Sequence, residues 1–151
     1  MNLLRTSLVV LLAVVFVHTA FGQEQSQPSQ QDQVLAKVQG ICPVMGGKLG
    51  AMGTPVKVAI GEQKETIFLC CKGCMNGKID AKNWATIHSN FRKAQGNCPV
   101  MNSPLPANPK WTVVNGRIIY VCCPSCIAKI KADPQKYIGI VDQFYAASLN
   151  K

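Results

Sequence analysis

Apolar and polar positions follow three successive patterns along this chain. Residues 8–17 are an unbroken apolar run, preceded by Arg5 and followed by the small residues Ala20 and Gly22. That order predicts a secretory signal over residues 1–22, cut before Gln23. The run is shorter than the roughly 20 residues a membrane helix needs, and no other segment approaches that length. No stable membrane span is therefore expected after cleavage, and the protein is expected to be exported, periplasmic or secreted. Residues 23–33, QEQSQPSQQDQ, carry no apolar side chain. Such a stretch cannot bury surface to offset its ordering entropy, which predicts a disordered Gln-rich linker.

From there the pattern occurs twice. Residues 37–45 read KVQGICPVM and residues 93–101 read KAQGNCPVM, identical at seven of nine positions. IFLCCKGC at 67–74 matches IYVCCPSC at 119–126. Asp80, Trp84, Ile87 and Phe91 match Asp133, Tyr137, Ile140 and Phe144 at a constant offset of 53. The duplication divides the chain into a first unit, 34–96, and a second, 97–151.

Within the second unit, residues 111–114 and 117–121 are β-rich runs joined by Asn115-Gly116, the dipeptide that suits a type I′ turn because both central residues need positive φ. They predict a β-hairpin. In the first unit residues 55–60 and 66–69 flank a longer GEQKE loop. After Cys74 and Cys126 the chain turns helical. Pro124 suits a first helical position, and Pro134 stops one helix and opens the next. Tyr137, Ile140, Val141 and Phe144 then share one face. Asp80 and Asp133 stand where N-caps belong. The fold class is α+β: two tandem small treble-clef-like units, each a CPVM loop, a β-hairpin and one or two short helices. About 50 residues per unit is little for an independent core, so a staple is expected.

Charge changes this picture little. The 151-residue chain has a net charge of +9, one less without Arg5. Its Lys and Arg residues form no cluster of the kind that binds nucleic acid, so no nucleic-acid partner is expected. Anionic envelope polymers or lipid headgroups fit the basic balance better. Catalytic chemistry has few candidates. Outside the signal the one histidine, His88, aligns with Val141 and so belongs to no repeated site. No catalytic residue is assigned, and the protein is not expected to be an enzyme.

The cysteines carry the chemistry. Each unit has four: Cys42, Cys70, Cys71 and Cys74, then Cys98, Cys122, Cys123 and Cys126. A C-x-x-M turn, Cys42 to Met45 and Cys98 to Met101, can aim two sulfurs at one point. C-C-x-x-C at a hairpin exit and helix start aims more at the same place, because i and i+3 share a helix face. This is a soft-metal layout, with Met45 and Met101 as thioether ligands or as gap-filling core residues. Soft sulfur donors select copper(I) or zinc(II), one ion per repeat, and a thioether favours copper. Two other readings stay open. Exported small proteins with an even cysteine count commonly use them as disulfides, which would make this a stapled interaction module without metal. Cys71 with Cys74 and Cys123 with Cys126 are also C-x-x-C pairs, as in thiol redox proteins. The implied partners are a metal ion and a metal-transport or envelope protein.

At these residues the sequence resembles the YHS and TRASH group of small cysteine-rich metal-binding domains. The group's pattern is D-P-V-C-G-M, a hairpin, aromatic-x-C-S-x-x-C, a helix and D-P-x-x-Y. The counterparts are Cys42-Pro43-Val44-Met45-Gly46, Phe68 to Cys74 and Asp80 to Trp84, then Cys98 to Met101, Tyr120 to Cys126 and Asp133 to Tyr137. The opening cysteine lies before Pro-Val here, and Cys71 and Cys123 stand where the group has serine. The resemblance implies metal sensing, delivery or sequestration, with Cys70, Cys74, Cys122 and Cys126 as ligands.

Overall fold

The computed structural model describes residues 28–150. The expected signal, and residues 23–27 of the expected linker, lie outside the described residues. Helix α1, Gln30–Gln39, is followed by strands β1, Val56–Ile60, and β2, Glu65–Leu69, a 3-10 turn at Lys72–Asn76, and helix α2, Ala81–Gln95. Strands β3, Lys110–Val114, and β4, Arg117–Val121, precede helices α3, Ser125–Ala132, and α4, Pro134–Ser148. The architecture is α+β, in two cysteine-rich units each built on a two-stranded antiparallel hairpin. None of the described helices is long and apolar enough to cross a membrane.

Local chemistry sets the element ends. The Asp80 carboxylate accepts from the Asn83 N–H at 2.9 Å and caps α2. Asp133 caps α4 in the same way through the Lys136 N–H, with Pro134 in the first turn. Asn115 and Gly116 adopt φ of 48° and 76°, the two positive values a type I′ turn requires. The linker expected over 23–33 needs correction at its end, because Gln30 to Gln33 are helical. Ser29 accepts from the Asp32 N–H as N-cap, and the buried residues Leu35, Ala36 and Val38 downstream anchor the helix.

The two units are not separate bodies. Helices α1, α2 and α4 pack against one another, and both hairpins lean on them. One cluster, containing Leu35, Phe68, Phe91, Ile119, Ile130 and Tyr145, runs through both units. Phe91 of α2 lies against Tyr145 of α4, ring centroids 5.9 Å apart. Each fully buried side chain of this size contributes about 1.5–3 kcal/mol, so neither half retains its core without the other. A second, smaller cluster belongs to the first unit alone: Cys42, Ile67, Leu69, Cys70 and Cys74.

The hairpins also meet directly. The Thr66 N–H donates to the Gly116 carbonyl at 2.7 Å. A Cβ on Gly116 would stand 2.3 Å from Thr66 Oγ1 and 3.2 Å from the Lys64 carbonyl, at a φ that disfavours any side chain. Gly116→Ala is therefore expected to lose about 1–3 kcal/mol. Urea denaturation checks this; a loss below about 0.5 kcal/mol, the size of an ordinary surface effect, would mean the junction between hairpins is slack.

Candidate metal centre

Each opening loop is wound around its cysteine. In the first, the Cys42 N–H donates to the Gly47 carbonyl at 2.8 Å and the Gly46 N–H to the Cys42 carbonyl at 2.9 Å. In the second, the Cys98 N–H donates to the Ser103 carbonyl and the Asn102 N–H to the Cys98 carbonyl, both at 2.8 Å. Gly46 and Asn102 occupy the same left-handed position, at φ of 69° and 52°. This winding turns backbone N–H groups onto the sulfur: those of Met45, Cys70 and Val44 onto Cys42, and those of Cys122, Met101 and Val100 onto Cys98. Burial is the largest single influence on the Cys42 thiol and pushes it up, but the N–H groups together bring it down to about 7. Cys98 is lowered by the same balance.

A glutamine in each unit holds the loop to the strand. Gln39, the last residue of α1, is fully buried. Its Oε1 accepts from the Phe68 N–H at 2.8 Å, and its Nε2 donates to the carbonyls of Phe68 at 2.7 Å and Ile41 at 2.9 Å. Gln95, ending α2, repeats the pattern on Tyr120 and Asn97 at 2.9, 2.7 and 2.9 Å. Each side chain thus stands in for a strand partner beside β2 or β4, and fixes the residue before the opening cysteine against the strand that leads to the next one. The expectations from sequence gave these glutamines no role, although Gln-Gly before CPVM is identical in both repeats and was the visible signal.

Two sulfur triads result. Cys42, Cys70 and Cys74 have their sulfurs within 4.8 Å of one another, as do Cys98, Cys122 and Cys126. Cys70 and Cys74 are 3.6 Å apart, and Cys122 and Cys126 3.9 Å. A tetrahedral centre with metal–sulfur bonds of about 2.3 Å spaces its sulfurs by about 3.8 Å, so the triads fit a thiolate-bound ion. Their electrostatics fit as well. Burial, then the neighbouring sulfurs, push Cys74 up to about 12, and Cys126 is raised in the same way. Burial likewise raises Cys70 and Cys122. A bound cation reverses this balance and holds all three as thiolates. Each triad can hold a metal ion, one per unit.

The remaining predicted ligands lie at the edges. Cys71 and Cys123 are partly exposed, with sulfurs 4.0 Å from Cys74 and 3.3 Å from Cys126. All eight cysteines are free. Met45 and Met101 give their backbone N–H groups to the site, while their side chains are 71% and 59% exposed. At that exposure they are not core fillers. Met45→Leu with Met101→Leu is accordingly expected to change stability by less than about 0.5 kcal/mol. Copper(I) and zinc(II) affinities, measured by competition with calibrated chelators, should both stay unchanged; a selective fall for copper(I) would show the thioethers to be ligands.

His88 stands apart from both triads. Its Nδ1 lies 2.7 Å from the Tyr120 hydroxyl, and its ring meets Trp84 and Trp111 edge-on at 4.7 and 5.2 Å. Burial lowers its pKa, as expected of a packing histidine. Comparison with protein-family models, with curated proteins and with solved structures finds no match to this chain.

Proposed function

We propose that this is an exported soft-metal-binding protein, without catalysis of its own, that carries one copper(I) or zinc(II) ion in each unit for sequestration, delivery or sensing. The observation that supports it best is the sulfur triad itself, present in each unit with its glutamine clasp and equivalent backbone N–H groups on the opening cysteine. The ligands in this reading are Cys42, Cys70 and Cys74, then Cys98, Cys122 and Cys126, with the fourth position of each ion open to a partner. That partner is a metal-transport or envelope protein. The resemblance to YHS and TRASH domains belongs with this reading, as does export by the signal over residues 1–22.

Titration of the reduced chain with zinc(II) or copper(I) is the test. Uptake should saturate near two equivalents by the logic of one sulfur triad per unit. Cys74→Ser and Cys126→Ser should each remove one equivalent. Saturation at one equivalent in the parent would mean a single shared site. No uptake, together with eight oxidised cysteines in protein purified without reductant, would replace this reading with a disulfide-stapled interaction module.

A further inference from the structure

The two sites differ in how the extra cysteine stands to the triad. In the first unit the sulfur nearer to Cys74 is the triad partner Cys70, at 3.6 Å, with Cys71 at 4.0 Å. In the second the order is reversed: Cys126 is nearer to the extra Cys123, at 3.3 Å, than to its triad partner Cys122, at 3.9 Å. The residue inside the C-x-x-C step differs too. Ser125 places its hydroxyl 3.2 Å from the Cys123 sulfur, where it can stabilise charge on a departing or attacking thiolate. The corresponding residue of the first unit is Gly73, which has no side chain to offer.

The surroundings of the two triads differ in the same direction. Cys42, Cys70 and Cys74 are three of the five buried residues of the small cluster. Cys98 and Cys126 belong to the main cluster, which is filled by Phe68, Phe91, Tyr120 and Tyr145 and stands without them. Losing a ligand therefore empties the first core but only notches the second.

We propose that the second unit is a redox-released metal site, in which oxidation of Cys123 and Cys126 to a disulfide expels the ion, while the first unit retains its own. The proposal rests on the metal-binding reading above. The oxidant is a low-molecular-weight disulfide, RSSR. The Cys123 sulfur attacks one sulfur of RSSR, the S–S bond breaks, and one RS⁻ leaves with the bonding pair. Cys126 then attacks the mixed disulfide at the Cys123 sulfur, forms the Cys123–Cys126 bond and displaces the second RS⁻. The two protein sulfurs give up two electrons; Cys123 releases one proton and Cys126, held as a thiolate by the ion, releases none, so RSSR becomes one RSH and one RS⁻, which takes its proton from water. Cys126 has then lost its thiolate, so Cys98 and Cys122 remain as a two-sulfur set and the ion leaves.

The test uses the full chain loaded with zinc(II), equilibrated over a series of oxidised-to-reduced glutathione ratios. Released zinc is read with a chromophoric chelator, and thiols are trapped by alkylation and mapped by peptide mass spectrometry. Cys123–Cys126 should be the first disulfide formed, and one of the two zinc equivalents should leave in step with it. Cys123→Ser, compared at the loading it reaches, should hold its second-unit zinc through the same series, whereas Cys71→Ser should release as the parent does. Formation of Cys71–Cys74 at an equal or lower oxidant ratio, joint release of both equivalents, or a Cys123–Cys126 bond with no release would each overturn the proposal. A chain that loads no zinc at all overturns the binding reading itself, an outcome distinct from loading without ordered release.

Discussion

Gln95→Ala is expected to lower the unfolding free energy by about 3–4 kcal/mol, among the largest effects of any single substitution outside the cysteines. The substitution leaves the Tyr120 N–H, the Tyr120 carbonyl and the Asn97 carbonyl without the partners they have at 2.9, 2.7 and 2.9 Å. Buried backbone groups left unpaired cost about 1–3 kcal/mol each, and partial rehydration of the vacated space recovers some of that. Gln39→Ala should do the same at Phe68 and Ile41. Gln95→Glu is no rescue, because a carboxylate keeps one acceptor, loses both donors and brings a charge into a buried place. Urea denaturation of the metal-loaded chain measures each loss. A loss under about 1 kcal/mol would place the hydrogen bonds among ordinary exposed contacts. The same variants should weaken metal binding in their own unit alone, since each clasp fixes only its own loop and strand.

The second large effect is expected when a chain loaded with zinc(II), as the proposed function has it, is stripped of metal. A ligand present at a thousand times its dissociation constant stabilises the folded state by about 4.1 kcal/mol, so a strong chelator should withdraw at least that much. The loss should not fall evenly. Ile67 and Leu69 share their small cluster with three cysteines, and metal removal leaves those three sulfurs to repel or to protonate. Ile119, Val121 and Ile130 lie in the main cluster. Amide exchange should therefore accelerate on the order of a thousandfold in the β1–β2 hairpin, the equivalent of about 4 kcal/mol, and far less in the β3–β4 hairpin. Exchange followed by NMR before and after chelation reads the difference residue by residue. Equal acceleration in both hairpins would mean that the two cores depend on metal alike.

What the sequence showed most clearly was what depends on near neighbours. Asn115-Gly116 specifies its turn because positive φ is a property of those two residues. Asp80 and Asp133 cap helices three residues away. The sulfur triads were legible because a strand exit, a helix start and a tight loop each have fixed local geometry, and the repeat presented that geometry twice. Roles set across 25 or 29 residues, such as those of Gln95 and Gln39, were not. The C-x-x-M spacing did not reveal that Met45 and Met101 stand largely exposed, because a turn fixes its backbone and not where a flexible thioether extends. Helix α1 was hidden because its first turn is all polar, and the apolar face that anchors it begins only at Val34.

The position of α2 bears on how the protein could be taken apart. The duplication suggests cutting after residue 96, where one repeat ends and the next begins. A second-half fragment made that way would lack Gln95, the residue that clasps its own Tyr120, and Phe91, which lies against its own Tyr145. A first-half fragment would keep both side chains but nothing for them to hold. In lineage terms, α2 is at once the closing helix of one repeat and the opening helix of the next, as α1 is the opening helix of the first. A gene duplication joined at that helix would have coupled the two copies from the moment they were fused, with no stage at which they were beads on a string.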